Sequence, residues 1–399
     1  MKASAFVYPW DVNGDPAAPG RIAALGVRQV TLAAAYHSTR ALTPRHPRHR
    51  VVTAEHAAVL YPAGSRWQGR ALRPYPAGDW APGDAYGEAA AALARAGLEV
   101  HSWVVLAHNS RLGAEHPATS VVNAYGDRYP WAPCIAQPAT RAYLVDLAAE
   151  AAVRPGAAGT ELESLGWYGL QHLHAHDKTG GVGLGEAGQY LMSLCFCPAC
   201  RAGYDDLGLD PDELAAAVRS ALEPVWRGLP DDGGAARPGE AGTGEGWAGV
   251  EKLLGTEPAG ATRAWRDATA RSLQEEAVAA VRAAAPEGFQ VLLHADPVSH
   301  HVGANPGVDP AHVLSVADGV VVPCTGGPAL LGPFARQRRE KAVIAANLTV
   351  VSGMGGSPGT LAADAARARE LGATELRLYH AGLASDADLE AVREGLGAL

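Results

Sequence analysis

The segment QVTLAAAY (residues 29–36) is apolar along its length apart from one glutamine and one threonine. Strands without alternation of polar and apolar residues are typical of parallel sheets that are covered on both faces. Similar runs recur on both sides of this segment along the whole chain. The predicted strands are Ala3–Trp10, Gln29–Tyr36, Glu99–His108, Thr160–Leu165, Gln290–Asp296, Gly319–Cys324, Val343–Val350 and Glu375–His380.

Alanine-rich segments of helical character lie between these strands, and three of them end in a glycine suited to a left-handed C-cap, at Gly97, Gly288 and Gly372. The alternation of eight strands with helices predicts an α/β protein, a (β/α)8 TIM barrel that spans residues 1–399 as one domain. The predicted helices are Asp84–Ala96, Thr140–Ala152, Thr262–Ala285, Pro333–Lys341, Leu361–Leu371 and Asp386–Leu396.

An open doubly wound sheet is the alternative architecture. Such a sheet usually carries a glycine-rich phosphate loop directly after its first strand. The segment Pro9–Gly14 that follows the first predicted strand is not a loop of this kind. The sequence therefore favours the barrel, and we expect no organic cofactor.

Two long segments interrupt the alternation, and each follows the carboxyl end of a strand. Residues 40–81 follow the second strand and are rich in proline, arginine and histidine. Residues 166–260 form an insertion after the fourth strand, with a cysteine cluster, a predicted helix at 211–226 and a predicted flexible Gly/Pro-rich loop at 229–246. Barrel enzymes build their sites at the carboxyl ends of the strands, so both segments are expected to border the site.

Composition narrows the range of partners. The chain of 399 residues contains 33 Lys and Arg against 42 Asp and Glu, a net charge of −9, which argues against a general nucleic-acid binder. No apolar run reaches the roughly 18 residues that span a bilayer, so we expect no membrane partner. Five cysteines and the lack of a signal-peptide pattern predict a reduced, cytoplasmic protein. The oligomeric state is left open.

Polar and aromatic residues occupy the carboxyl ends of nearly all predicted strands, whereas the strand bodies are apolar. This pattern predicts a polar pocket with aromatic walls, as a carbohydrate site requires: rings stack on sugar faces, and imidazole, guanidinium and amide groups bind hydroxyls. The predicted substrate-binding residues are Trp10, Asp11, Tyr36, His37, Arg40, His108, Trp167, His294, Asn347, Tyr379 and His380.

Three carboxylates are the candidate catalytic residues. Glu161 and Glu163 are two residues apart, so on a regular strand both point to the same side. Repulsion between two such groups raises the pKa of one of them, which suits acid/base catalysis. Asp296 ends the neighbouring strand and is a candidate second carboxylate. The alternatives are an ion pair with arginine for a glutamate and an Asp-Pro turn for Asp296.

Cys195, Cys197 and Cys200 form a C-x-C-x2-C motif, and Cys134 is the best candidate for a fourth thiol. Four thiolates make a closed tetrahedral shell, which is typical of structural rather than catalytic zinc. The sequence therefore predicts a structural zinc site. The alternative is a set of buried, reduced thiols.

Cys134, a glutamate on the fourth strand and the 195–200 motif leading into a helix together resemble the family 42 β-galactosidases and related barrel glycosidases. The resemblance covers about residues 123–201. It implies a structural zinc held by the four cysteines beside the site, with Glu163 in the acid/base place and Glu161 as the other possibility. The chain departs from this family on the seventh strand, where the galactosidases carry a glutamate nucleophile and residues 342–350 contain Asn347 but no carboxylate.

The leading hypothesis is a carbohydrate-active enzyme, a glycoside hydrolase that acts on a carbohydrate or glycoconjugate. Glu163 would protonate the leaving oxygen, and Asp296 or Glu161 would act as nucleophile or as base for water. Two alternatives remain. One is a metal-dependent sugar isomerase or epimerase built from strand-end histidines and carboxylates. The other is a carbohydrate-binding barrel without catalysis.

Overall fold

Eight parallel strands close into a ring in the computed structural model, which describes residues 1–171, 177–229 and 245–399. The predicted barrel is therefore confirmed. The strands are β1 (Lys2–Val7), β2 (Gln29–Tyr36), β3 (Thr39–Leu42), β4 (Val51–Ala54), β5 (Ala58–Val59), β6 (Glu99–Val105), β7 (Ser120–Val122), β8 (Arg128–Pro133), β9 (Ala157–Glu163), β10 (Gln290–His294), β11 (Gly319–Pro323), β12 (Val343–Thr349) and β13 (Glu375–Tyr379).

The order around the ring is β1, β2, β6, β9, β10, β11, β12 and β13, and β13 pairs with β1 to close it. The other strands lie outside this ring. β5 pairs antiparallel with β2, and β3–β4 and β7–β8 are hairpins in the loops after β2 and β6. The first strand ends at Val7 rather than at Trp10, because residues 9–11 form a 3-10 turn.

Helices follow the barrel strands, and α2, α4 and α9 pack against the sheet or each other on its outside. The helices are α1 (Ala18–Ala23), α2 (Ala85–Arg95), α3 (Ser110–Glu115), α4 (Pro138–Ala152), α5 (Glu186–Met192), α6 (Pro198–Asp206), α7 (Pro211–Trp226), α8 (Glu245–Leu254), α9 (Thr256–Ala284), α10 (Pro310–Val316), α11 (Leu331–Arg336), α12 (Leu361–Glu370) and α13 (Asp386–Gly397).

Helix boundaries follow the local signals in the sequence. Gly97, Gly288 and Gly372 have φ of +81°, +80° and +99°, the left-handed conformation predicted for them. Helix α7 has the predicted bounds. Its N-cap is Asp210, whose side chain accepts hydrogen bonds from the backbone amides of Asp212 and Glu213. Helix α11 ends at Arg336, five residues before the predicted Lys341.

The predicted insertion after the fourth strand contains helices α5 to α8 and the start of α9. Of the predicted flexible loop at 229–246, residues 230–244 lie outside the described part of the chain. No helix within the described ranges combines the length and the apolar character that crossing a membrane requires.

A buried ion pair crosses the inside of the barrel. Arg377 on β13 donates through Nε to Glu161 Oε1 on β9 at 2.6 Å, and β13 and β9 are opposite each other in the ring. Both side chains are fully buried, and Thr31 also donates to Glu161 Oε1 at 3.1 Å. Burial alone would raise the pKa of Glu161, but Arg377 and His294 outweigh it and lower the pKa to about 2. Glu161 is therefore ionised in the middle of the barrel.

We expect Arg377→Met to lower the free energy of unfolding by roughly 3–5 kcal/mol, since it leaves a buried carboxylate without its cation. Arg393→Met is the matched control, because Arg393 pairs with Glu390 at the surface and both are more than half exposed. That change should leave the free energy of unfolding nearly unchanged, because exposed ion pairs contribute little to stability. Urea unfolding of both variants measures the difference.

Adding Glu161→Gln to Arg377→Met should recover part of the lost stability, because the unpaired charge is removed.

The contribution of ionised Glu161 to the free energy of unfolding should be present above its unfolded pKa of about 4.3 and lost as the pH falls towards its folded pKa of about 2. Equal losses for Arg377→Met and Arg393→Met would contradict a stabilising role for the buried pair.

Candidate functional site

Glu163 is the last residue of β9 and faces the same side of the strand as Glu161. The next residue, Ser164, has φ of +57°, and His380 directly after β13 has φ of +60°. Among the described residues these are the non-glycine residues with positive φ, a conformation that costs energy and recurs at functional sites. Both lie at the carboxyl end of a barrel strand, where sites of this fold are built.

The Glu163 carboxylate is enclosed by two ring systems. Trp103 on β6 donates through Nε1 to Glu163 Oε2 at 2.7 Å, and His294 Nδ1 lies 3.8 Å from the same oxygen. Burial raises the pKa of Glu163, and His294 and Trp103 offset the effect only in part. Glu163 therefore retains its proton at higher pH than an exposed glutamate does, as a general acid requires.

His294 lies between the two glutamates of β9. Its Nε2 is 3.6 Å from Glu161 Oε2, and its Nδ1 is 3.8 Å from Glu163 Oε2. The pKa values of the two carboxyls shift in opposite directions because Glu161 also has Arg377, whereas Glu163 has a neutral indole as its nearest donor. One strand thus presents an anion and a protonatable carboxyl two residues apart.

Asp296 follows β10, the strand next to β9. Its Oδ1 accepts from the Val298 amide at 2.8 Å, so the aspartate also closes the turn at the end of its strand. Burial raises the pKa of Asp296, and His301 and the Val298 amide lower it in part. Asp296 is therefore a second buried carboxyl at the same end of the barrel.

Aromatic side chains fill the barrel mouth around Glu163. Phe6 contacts Trp103 and Tyr379, with ring centroids 4.7 and 5.1 Å apart, and Tyr8 stacks on Trp10 at 4.6 Å. Phe6, Tyr8 and Trp103 were not among the predicted site residues, although the spacing of two residues in Phe6, Tyr8 and Trp10 is the signal of one strand face.

Hydroxyl and imidazole groups form a hydrogen-bonded chain within this mouth. Tyr8 Oη lies 2.9 Å from Tyr36 Oη and 3.0 Å from His380 Nδ1. Burial raises the pKa values of Tyr8, Tyr36 and Tyr379, so these phenols stay neutral and can both donate and accept. The predicted residues Tyr36, Tyr379 and His380 are thus brought together.

A second set of rings continues from Tyr36 along the rim. The ring of Tyr36 is 4.1 Å from that of His37, His37 is 5.2 Å from His108, and His108 stacks on Tyr168 at 4.1 Å. His108 Nδ1 lies 3.1 Å from the Trp131 carbonyl oxygen and therefore donates to it. His37 and His108, both predicted, lie beside the mouth, and Tyr168 joins them.

Four predicted substrate-binding residues lie in other surroundings. Asp11 accepts from the Tyr8 amide and lines a small cavity with Arg45, and burial raises the pKa of Asp11 to about 7. Arg40 is exposed on β3, and Trp167 donates through its indole N–H to the Arg266 carbonyl. Asn347 on β12 is buried, and its Oδ1 has no hydrogen-bond partner among the described residues.

The four predicted cysteines converge. Cys134 Sγ is 3.6 Å from both Cys197 Sγ and Cys200 Sγ. Together with the sulfur of Cys195 they form a group of four atoms that all lie within 4.8 Å of one another. Metal–sulfur bonds of about 2.3 Å in a tetrahedron place sulfur atoms about 3.8 Å apart, so the spacing fits one metal ion.

The surroundings of the cluster also suit a metal ion. The amides of Val122 and Cys197 point at Cys195 Sγ, at 3.4 and 3.5 Å. The neighbouring thiols and burial raise the pKa of Cys134, because negative charges would accumulate there without a cation. Over residues 1–171, 177–229 and 245–399 the strand-end histidines form no comparable group of ligands.

The cysteine cluster is connected to the barrel mouth through the β7–β8 hairpin. Cys134 follows β8, and Trp131 within β8 accepts from His108 and donates through Nε1 to the Gly169 carbonyl at 3.2 Å. The cluster thus fixes the hairpin that orients His108, but it lies outside the mouth.

No protein-family model matches the sequence, and no curated protein matches it. Solved structures do match. The α-L-fucosidase isoenzyme 2 from Paenibacillus thiaminolyticus has a TM-score of 0.54 at 12% identity, over 99% of this chain and 48% of that one. The glycoside hydrolase domain of PgaB (BpsB) from Bordetella bronchiseptica has a TM-score of 0.54 at 16% identity, over 99% of both chains.

Gan42B, a family 42 β-galactosidase from G. stearothermophilus, has a TM-score of 0.52 at 13% identity, over the whole of this chain and 56% of that one. The chain thus spans about half the length of the fucosidase and of the galactosidase. Identities this low establish the fold alone. The chain has the TIM-barrel fold found in glycoside hydrolases, with a family 42 β-galactosidase among its structural neighbours.

Proposed function

We propose that the protein is a glycoside hydrolase and that Glu163 is its general acid. The observation that supports this most is the contrast between two glutamates on one strand, Glu161 paired with Arg377 and Glu163 buried against Trp103 with a raised pKa. The fold shared with several glycoside hydrolases is consistent with the proposal.

Asp296 is the proposed second carboxylate, as nucleophile or as base for water, because β12 offers Asn347 where the galactosidases have a glutamate. Glu163 would protonate the glycosidic oxygen. Glu161 would stay ionised and orient His294, whose ring faces both glutamates.

The mouth must open to admit a sugar, since only 3% of the Glu163 side chain is exposed. Val52, Leu60 and Ala81 from the segment 40–81 pack against the mouth cluster that includes Tyr8 and Trp10. This segment is therefore the part of the chain that would move. Once it opens, the phenols and imidazoles would bind sugar hydroxyls and the rings would cover sugar faces.

We expect Glu163→Gln to lower kcat/KM on phenyl glycosides by about 10²- to 10⁴-fold, the usual contribution of a general acid. Dinitrophenyl glycosides should be affected far less, because their leaving group departs without a proton. Asp296→Asn should impair both substrates, since attack at the anomeric carbon is needed in each case. Steady-state kinetics on the two substrate classes gives the comparison.

Glu370→Gln at the exposed end of α12 is the control and should leave both rates unchanged. Equal losses of Glu163→Gln on both leaving groups would show that Glu163 is not the acid. Sugar affinity without turnover in either form would favour the non-catalytic binding barrel.

Trp103→Phe tests the cause of the Glu163 pKa. The indole N–H stabilises the ionised carboxylate, so its removal should raise the pKa of Glu163 further and move the basic limb of the kcat/KM profile to higher pH. Trp226→Phe is a control on the surface of α7 and should keep the wild-type profile. A basic limb that stays in place or moves to lower pH would contradict this assignment.

We also propose that the four-cysteine cluster holds a structural zinc ion. Wild type and Cys324→Ser should contain one zinc per chain by elemental analysis, because Cys324 is buried apart from the cluster. Cys197→Ser should lose the metal and melt at lower temperature, since zinc joins the end of β8 to the start of α6. Retention of a full equivalent of zinc by Cys197→Ser would exclude this site.

A further inference from the structure

The segment 40–81 has a charge opposite to that of the rest of the chain. It contains seven arginines and two acidic residues, a net charge of +5, whereas the remainder of the chain has a net charge of −14. The segment follows β2 and borders the barrel mouth. A positive surface beside the mouth of an acidic protein attracts anions towards that site.

Part of this segment forms an open groove with helix α3. The groove has a volume of about 1090 Å³, and its walls come from residues 63–76 on one side and from Arg111, Glu115 and His116 on the other. Both walls follow carboxyl ends of neighbouring strands, β2 and β6, so the groove lies on the same rim as Glu163.

The cations in and beside the groove outnumber the carboxylates that pair with them. Arg66 and Arg70 share Asp146, at 3.1 and 3.0 Å, and Arg111 pairs with Glu115 at 2.9 Å. Arg73 is a further groove-lining arginine; it is exposed and has no ion pair within the described residues. Glu150 also accepts from the Gly64 amide and the Trp67 indole in the groove wall. Four arginines therefore face three carboxylates, and Arg73, which has no ion pair in the described part of the chain, carries the excess positive charge.

The groove leads towards the site through Tyr75. Arg111 lies 4.3 Å above the ring of Tyr75, and Tyr75 Oη donates to Glu115 at 2.7 Å. Tyr75 also lines a second, smaller cavity together with Tyr36 and His108. Tyr75 thus separates the basic groove from the rings of the barrel mouth.

We propose that this groove binds the anionic groups of an acidic polysaccharide whose chain extends into the barrel mouth. The inference rests on the proposed function and narrows its substrate class to sugars with carboxylate or sulfate groups. Guanidinium groups bind both anions through paired hydrogen bonds. Arg73 lines the groove without an ion pair to any described residue, and Arg111 lines it while paired with Glu115.

The test is binding of alginate, dextran sulfate and neutral dextran by calorimetry, with Arg73→Gln, Arg111→Gln and the double variant. Alginate offers carboxylates, dextran sulfate offers sulfates, and dextran has no charge. We expect binding of at least one charged polymer, weakened by about three- to tenfold for each arginine removed and weakened by salt. The control combines Arg339→Gln with Arg369→Gln, at two exposed sites that are distant in sequence from the groove. This control has the same net charge as the double variant of Arg73 and Arg111 and should bind like wild type.

Three results would overturn the proposed anion binding by the groove: tight binding of dextran, an unchanged affinity of the double variant, or an equal loss of affinity in the control pair. Single-stranded oligonucleotides bound as tightly as alginate would also overturn it. Binding is measured without turnover, ideally in Glu163→Gln, so the two proposals fail separately. A groove that binds alginate in an inactive protein contradicts only the hydrolase, and hydrolysis of neutral glycosides without groove binding contradicts only the groove.

Discussion

The ion pair between Arg377 and Glu161 is the interaction on which the candidate site depends. A closed ring of eight strands removes its inward side chains from water, so a charge inside it must be paired there. These two residues come from opposite strands and meet across the barrel. Their pairing keeps Glu161 ionised, and His294 Nε2 lies 3.6 Å from this anion beneath the mouth.

The charge on Glu161 also acts on the next inward residue of the same strand. Its Coulomb repulsion raises the pKa of Glu163, in addition to the larger effect of burial. The ion pair with Arg377 thus gives two chemically identical side chains different pKa values: Glu161 stays an anion, and Glu163 can hold and release a proton. Removing Arg377 would disturb both, because Glu161 would then compete with Glu163 for the proton. Stability of the barrel and acidity of the site are therefore coupled through one arginine.

Sequence patterns predicted the fold well, because a strand buried on both faces must be apolar and this requirement is local. The predicted end of β1 was wrong, since the 3-10 turn at Pro9 depends on hydrogen bonds that no periodicity encodes. The predicted start of β9 was also wrong, because the strand begins at Ala157. The cysteine cluster was predictable, because three of its members lie within six residues and only Cys134 had to be placed in space. The partner of Glu161 was not, since Arg377 is 216 residues away in sequence and becomes its neighbour only when the ring closes.

The register of β9 and β10 bears on the stereochemistry of the proposed reaction. Leu293 pairs with Leu162, so Glu163 lies level with His294, and Asp296 lies two residues further along the strand direction. Two residues add about 6.6 Å along the strands, and neighbouring strands are about 4.8 Å apart. If the two carboxyls are as far apart as the backbones that carry them, their separation falls in the roughly 6.5–9.5 Å of inverting enzymes rather than near the 5 Å of retaining ones. Water would then fit between the sugar and Asp296, and Asp296 would act as a base rather than as a nucleophile, which removes the need for a glutamate at the position of Asn347.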